Sequence, residues 1–214
     1  MPGWQTFYQE LKDKNFAIVS VAQDTGGVKD AGPWITRANP EYTVLIDQQH
    51  LVTKLYGMVN VPTAVWINEQ GKIVRPNEVA FVDDRFKYIS HVDADPYLEA
   101  IRDWVANGEH SLFPLSEQQL KERLTPASPD RLMADTEFSL AEYLYRTGHG
   151  LEAIPHFKEA QRLGPDNWNY KRQAWTLSDA GRDYGTNFAK EVQRLNGKPY
   201  YAPRQMPEPK KKPN

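Results

Sequence analysis

Apolar residues in the first half of the chain recur at the spacings of helices and strands. Trp4, Phe7, Tyr8 and Leu11 follow the period of an amphipathic helix. The run 16–22 is almost entirely apolar, which is typical of a parallel strand covered on both faces. The same patterns predict the other elements of this half: a helix over 28–38, an extended segment over 42–47, a helix over 48–56, a hairpin over 62–75 and a helix over 95–107. Alternating helices and strands indicate an α/β layout.

The most informative stretch lies between the predicted helix over 48–56 and the hairpin. Gly57 stands where that helix would end, and Pro62, which has no N–H to donate to a sheet, must open the following strand or lie on an edge. Val61 precedes the proline and is therefore expected to be extended. If the bond between the two were cis, the backbone of Val61 would face outward as a short edge for an extended peptide, although an ordinary loop is the commoner reading of these residues alone.

The second half is predicted to be helical. Ser116 is a plausible N-cap for a helix through Leu124, and the pattern over 134–167 predicts two helices joined by a turn at 148–150. We therefore expect an α/β domain over 1–110 and a helical region over 111–195. The Pro- and Lys-rich tail over 196–214 is expected to be disordered or extended.

Composition removes several classes of function. The net charge of -2 gives no electrostatic argument for nucleic acid, and no apolar run reaches the roughly 18 residues of a membrane span. The chain has 0 cysteines, so it offers no thiol nucleophile, and its scattered histidines predict no metal site. We therefore expect no catalytic residue, no metal and no cofactor within this chain, and a protein or peptide as partner.

Three segments of the first half resemble the TlpA/ResA-type redoxins of the thioredoxin-like fold. They are the strand and aspartate over 16–24, the segment Val44 to Asp47, and the block from Tyr56-Gly57 through Pro62 to Gly71-Lys72-Ile73-Val74. The resemblance covers about 1–108. It implies a cis-proline at Pro62 facing a pair of cysteines. It also implies that Val61, Pro62 and Thr63 form the substrate-binding site, where the backbone of Val61 hydrogen-bonds to a bound peptide or mixed disulfide. It is also compatible with an extracytoplasmic location, which the residues themselves do not fix.

The chain differs from this family at the segment that carries the family's redox cysteines. Such redoxins carry a central strand leading into W-C-x-x-C, and Met1-Pro2 followed by Trp4 fits the continuation just after that motif. An incomplete gene model, a shortened version of the protein and a natural relative without cysteine all explain this, and the first, or an alternative start, is favoured. The expected fold is a thioredoxin-like α/β domain lacking its first central strand, and each unpaired buried backbone group would cost about 1–3 kcal/mol.

The helices over 134–167 resemble one tetratricopeptide repeat, with Phe157 filling the helix crossing and Pro165 ending the second helix. Glu137 replaces the large aromatic residue usual near the start of the repeat. A single repeat needs flanking helices, for which 115–124 and 168–178 are the candidates. A peptide-binding groove and a plain helical hairpin are equally compatible with this pattern.

Two functions follow from these resemblances. The first is a thiol–disulfide oxidoreductase of the TlpA type that is inactive in redox chemistry as it stands. The alternative is a non-catalytic protein- or peptide-binding module that combines a thioredoxin fold without cysteines with a helical repeat.

Overall fold

The structure, a computed structural model, describes residues 2–124 and 126–207. It has four short strands: β1 (Val19–Gln23), β2 (Thr43–Asp47), β3 (Thr63–Ile67) and β4 (Ile73–Val79). The helices of the first half are α1 (Pro2–Leu11), α2 (Val28–Ala38), α3 (Leu51–Leu55), α4 (Lys87–Ser90) and α5 (Asp95–Asn107), followed by one 3₁₀ turn (Gly108–His110). The helices of the second half are α6 (Glu117–Arg123), α7 (Pro129–Arg146), α8 (Gly150–Leu163), α9 (Trp168–Leu177), α10 (Ala180–Tyr184) and α11 (Phe188–Arg194). The predicted α/β class and the helical second half are confirmed.

The strands form two separate pairs. β1 and β2 are parallel, with Val19 opposite Thr43, and β3 and β4 are antiparallel, with Thr63 opposite Val79. Within residues 2–124 and 126–207, neither pair has a third strand. The expectation that β1 is covered on both faces is wrong, because the side chain of Val19 is 62% exposed and β1 has a ladder partner on one edge only.

A first apolar core joins α1 and α5 to β3. Phe7, Leu11, Trp66, Tyr97 and Ile101 are all buried in it. The indole N–H of Trp66 donates to the hydroxyl of Tyr97 at 2.9 Å, so the one polar atom of each ring is satisfied inside the core. Tyr97, Leu98, Ala100 and Ile101 thus form the buried face of α5.

A buried arginine ties two distant segments to β4. The guanidinium of Arg75 is fully buried; its Nε donates to the carbonyl of Phe113 at 2.8 Å and its Nη1 to the carboxylate of Glu78 at 2.6 Å. The same Nη1 donates to the carbonyl of Gln205 at 3.2 Å. The linker after α5 and the C-terminal segment are thus both fixed to one side chain of the hairpin.

A second core forms between the helices of the second half. Phe138, Phe157 and Tyr170 pack together where α7, α8 and α9 meet. The alanines at positions 134, 141, 153, 160 and 174 let these helices approach closely. Of the two predicted flanking helices, α9 covers the hairpin of α7 and α8, whereas α6 contacts β4.

The C-terminal segment differs from its prediction. Tyr200 and Tyr201 are buried, and Arg204 donates through Nε to the carbonyl of Val79 at 3.0 Å. The prediction of a disordered or extended tail over 196–214 therefore did not include the packing of Tyr200 and Tyr201, which belong to no helix or strand. The rings of Tyr200 and Tyr201 and the side chain of Arg204 make contacts that the proline-rich composition of this segment did not predict. Residues 208–214, including the terminal lysines, lie outside the described residues.

A buried polar cluster joins the α/β region to α7. The hydroxyl of Thr25 donates to Oε1 of Glu142 at 2.8 Å, and Nδ1 of His50 lies 2.5 Å from the same oxygen. All three side chains are buried. An isolated carboxylate at this depth would be very costly, so His50 and Thr25 make the burial of Glu142 possible.

We expect His50→Ala to lower the free energy of unfolding by about 3 kcal/mol, because it leaves the buried carboxylate of Glu142 without its nearest partner. Urea denaturation followed by circular dichroism measures this. The matched control is His149→Ala, whose parent side chain is 58% exposed and 3.9 Å from Glu152, and which should change stability by about 0.5 kcal/mol or less. Equal effects of the two variants would contradict the role assigned to His50.

Candidate binding site at the Pro62 loop

The loop that leads into Pro62 is held by the start of α9. Gly57, with φ of 64°, turns the chain out of α3. The carbonyl of Met58 then accepts a hydrogen bond from the side-chain amide of Asn169 at 3.0 Å, and the carbonyl of Val59 accepts one from the backbone N–H of Trp168 at 2.7 Å. The first turn of α9 therefore supplies donors to two successive carbonyls of this loop.

Pro62 and Thr63 connect the loop to the hairpin. The Val61–Pro62 peptide bond is cis, which is the geometry that the family resemblance implies. The carbonyl of Pro62 accepts from the N–H of Ala80 at 3.2 Å. Thr63 begins the ladder with β4, and its hydroxyl donates to the carbonyl of Asn60 at 2.7 Å.

The backbone of Val61 already has partners within the chain. Its N–H donates to the side-chain oxygen of Asn60 at 2.9 Å. Its carbonyl accepts from the hydroxyl of Tyr201 at 2.8 Å and from Nη1 of Arg172 at 3.3 Å. The expectation that Val61 presents a free backbone edge is therefore wrong. Substrate binding by Val61, Pro62 and Thr63 stays a prediction, to be sought in side-chain contacts beside the loop.

Two tyrosines of the C-terminal segment also contact the loop before Pro62. Tyr200 packs edge-on against Trp168 at 4.5 Å between ring centroids, and its carbonyl accepts from the side-chain amide of Asn60 at 3.3 Å. Burial raises the pKa of the Tyr200 hydroxyl, and burial likewise raises that of Tyr201. Both hydroxyls are thus neutral at physiological pH, and Tyr201 is a hydrogen-bond donor to Val61.

A cavity of about 820 Å³ lies beside this loop. Val61 and Pro62 line it, whereas Thr63 does not. Trp4 of α1 and Ser20 of β1 also line it. The remaining wall includes seven aromatic residues, which come from the 81–88 segment, α9, α11 and the C-terminal segment: Phe81, Phe86, Tyr88, Trp175, Phe188, Tyr200 and Tyr201.

The sequence located only one side of this cavity. Pro62 and its neighbours were singled out from local patterns, but Arg172, Trp175, Phe188 and the tyrosine pair were not. The available signal was the pair Tyr200-Tyr201 itself, because two adjacent aromatic residues are unusual in a segment expected to be solvated. Asp24 and Asp47, which belong to the family-like segments, accept backbone N–H groups at turns and helix starts.

The comparisons give this site no known counterpart. The chain matches no family model, no curated protein and no solved structure. Within the described residues, no helix has both the length and the apolar character needed to cross a membrane. The same part of the chain holds no group of three acidic, histidine or cysteine residues arranged to bind a metal ion.

We expect Tyr201→Phe to lower the free energy of unfolding by about 1 kcal/mol, because the buried carbonyl of Val61 loses its shorter hydrogen bond. Thermal and urea denaturation of the full chain measure this. Tyr88→Phe removes the hydroxyl of a side chain that is 74% exposed and serves as the control, with no measurable change expected. A Tyr201→Phe variant as stable as the control would contradict the assigned hydrogen bond.

Proposed function

We propose that this chain is a thioredoxin-like module of the TlpA/ResA type that binds an extended polypeptide and performs no thiol–disulfide exchange of its own. The observation that carries the proposal is the pair of strand edges without partners. In the described residues β1 pairs only with β2, and β3 only with β4. Ser20 of β1 and Pro62, which precedes β3, line one cavity. Such edges offer N–H and C=O groups to an added strand.

The arrangement of the two strand pairs supports the thioredoxin-like part of this proposal. The resemblance implies an opening strand between β1 and β3, and in the described residues the two strand pairs share no ladder with each other. An added strand in that position would supply a ladder to both edges at once. Backbone groups that otherwise depend on water would then gain protein partners.

The absence of cysteine limits the chemistry that can be proposed. With 0 cysteines the chain cannot form the thiolate that attacks a disulfide. Binding without redox turnover is therefore the activity that these residues support. In an insulin-reduction assay the chain should show no turnover above buffer with dithiothreitol.

A second candidate is an oxidoreductase whose two cysteines come from polypeptide outside these 214 residues. The observation that favours it is that Trp4, in the first turn of α1, lines the same cavity as Pro62. The resemblance implies such a proximity between the helix that carries the cysteines and the proline loop. In that reaction a thiolate would attack a substrate disulfide and release the other sulfur as a thiolate, with Val61 and Pro62 aligning the mixed disulfide. An N-terminal extension carrying a strand and W-C-x-x-C should then reduce insulin, and its double Cys→Ser form should not.

Strand addition predicts a specific pattern of amide protection. We expect the blocked peptide KTVTVTVK to raise the melting temperature and to slow hydrogen exchange at amides of β1 and β3, because a bound ligand stabilises the folded state and new ladder bonds protect the edges. Mass spectrometry of deuterated peptide fragments locates the protection.

The matched control is KTPTPTPK, which has the same length and charge but lacks three of the backbone donors that a ladder needs. It should leave both measurements unchanged. The proposal fails if neither peptide alters exchange at β1 and β3, or if the two peptides protect these strands equally.

A further inference from the structure

We infer that the cavity beside Pro62 is a side-chain pocket of this peptide site, which takes a large aromatic residue followed by an acidic one, and that Arg172 holds the carboxylate. The inference rests on the proposed function, since it names the class of peptide that the same site selects. Pro62, the tyrosine pair and α9 form the pocket, and Ser20 and Trp4 connect it with the edge of β1.

The size and lining of the cavity favour an aromatic side chain. A volume of about 820 Å³ lies within the range of ligand pockets and exceeds what one side chain fills, so there is also room for its neighbour. Phe81, Trp175, Phe188, Tyr200 and Tyr201 present rings around it. Edge-to-face contacts, such as Tyr201 on Phe81 at 5.3 Å between centroids, fix these rings before a ligand arrives.

The charges around the cavity favour an acidic neighbour. Arg85 and Asp83 both line it, and their charged groups are 3.5 Å apart, so they compensate each other. Arg172 is exposed on α9, where its guanidinium contacts the carbonyl of Val61 and lies 5.9 Å from the ring centroid of Phe188. No carboxylate lies within 4 Å of Arg172 in the described part of the chain, which leaves its positive charge uncompensated at the cavity wall.

The position of the cavity fits an extended ligand. Ser20, the second residue of β1, and Pro62, the residue before β3, both line the cavity, so it lies where these two strands begin. A strand added there can place one side chain in the pocket while its backbone continues along the edges. Because the cavity lies where β1 and β3 begin, the added strand ends at the aromatic residue. The next residue is outside the ladder and no longer follows its alternation, so it can turn its carboxylate toward α9.

The test compares three peptides on the full chain by fluorescence anisotropy, with fluorescein at the first lysine. We expect KTVTVWEK to bind about tenfold more tightly than KTVTVWQK, because a charge-assisted hydrogen bond to Arg172 is lost in the second. KTVTVAEK, which lacks the aromatic ring, should also bind about tenfold more weakly.

Arg172→Met keeps the length of the side chain and removes its charge, so it should abolish the preference for KTVTVWEK over KTVTVWQK. The control is Arg162→Met, which makes the same change of charge at a site on α8 where the arginine pairs with Glu159. It should retain the tenfold preference. Thr176→Trp on the exposed rim of the cavity should fill the pocket and reduce KTVTVWEK to the affinity of KTVTVAEK.

The outcomes separate this inference from the proposed function. If KTVTVTVK protects β1 and β3 but the three peptides bind equally, or if both Arg172→Met and Thr176→Trp leave the preference intact, the pocket assignment is overturned and strand addition stands. If no peptide binds the folded chain, both are overturned. Circular dichroism confirms that each variant is folded, and Thr176→Trp decides the assignment should Arg172→Met fail to fold.

Discussion

The backbone hydrogen bonds of the loop before Pro62 are the constraint on which the rest of this structure depends. The carbonyls of Met58, Val59 and Val61 accept donors from α9 and the C-terminal segment, far along the chain. Because a buried backbone group without a partner is costly, the carbonyl of the buried Met58 requires the start of α9 beside the loop, and Tyr201 adds a contact to the partly buried Val61. The helical region is therefore a structural part of the candidate site.

Buried charges fix the other junctions. Arg75 binds Glu78 and the carbonyls of Phe113 and Gln205, and burial lowers the pKa of its guanidinium although Glu78 opposes that shift. His50 and Glu142 also join the α/β region to α7, through a buried contact between Nδ1 of His50 and the carboxyl group of Glu142. Such pairs add little net stability relative to apolar residues of similar size, but removal of one partner is severe. In this chain they connect segments that are far apart in the sequence.

The cavity and the unpaired strand edges are two parts of one surface. In the proposed function the edges of β1 and β3 supply backbone groups, and backbone pairing does not depend on the sequence of the added strand. The proposed side-chain contacts with the aromatic walls and Arg172 are those that would discriminate between ligands. Because the partners of the Val61 backbone are internal, selectivity at this end has to come from the cavity and not from the loop backbone.

Local sequence patterns determined the secondary structure of this protein, and long-range contacts decided its site. The helix over 28–38, the end of α3 before Gly57, the buried stripe of α5 and the Ser116 cap of α6 all follow from spacing and local sterics, which act over a few residues. The junction of Glu142 with His50, the network of Arg75 and the burial of Tyr200 and Tyr201 have no local signature, because each joins residues that are distant in sequence. The sequence also placed Val61 correctly before a strand, yet only the tertiary structure supplied Tyr201 and Arg172 as partners for its carbonyl. The pairing of a buried polar group depends on which distant segment reaches it, and that is decided by packing.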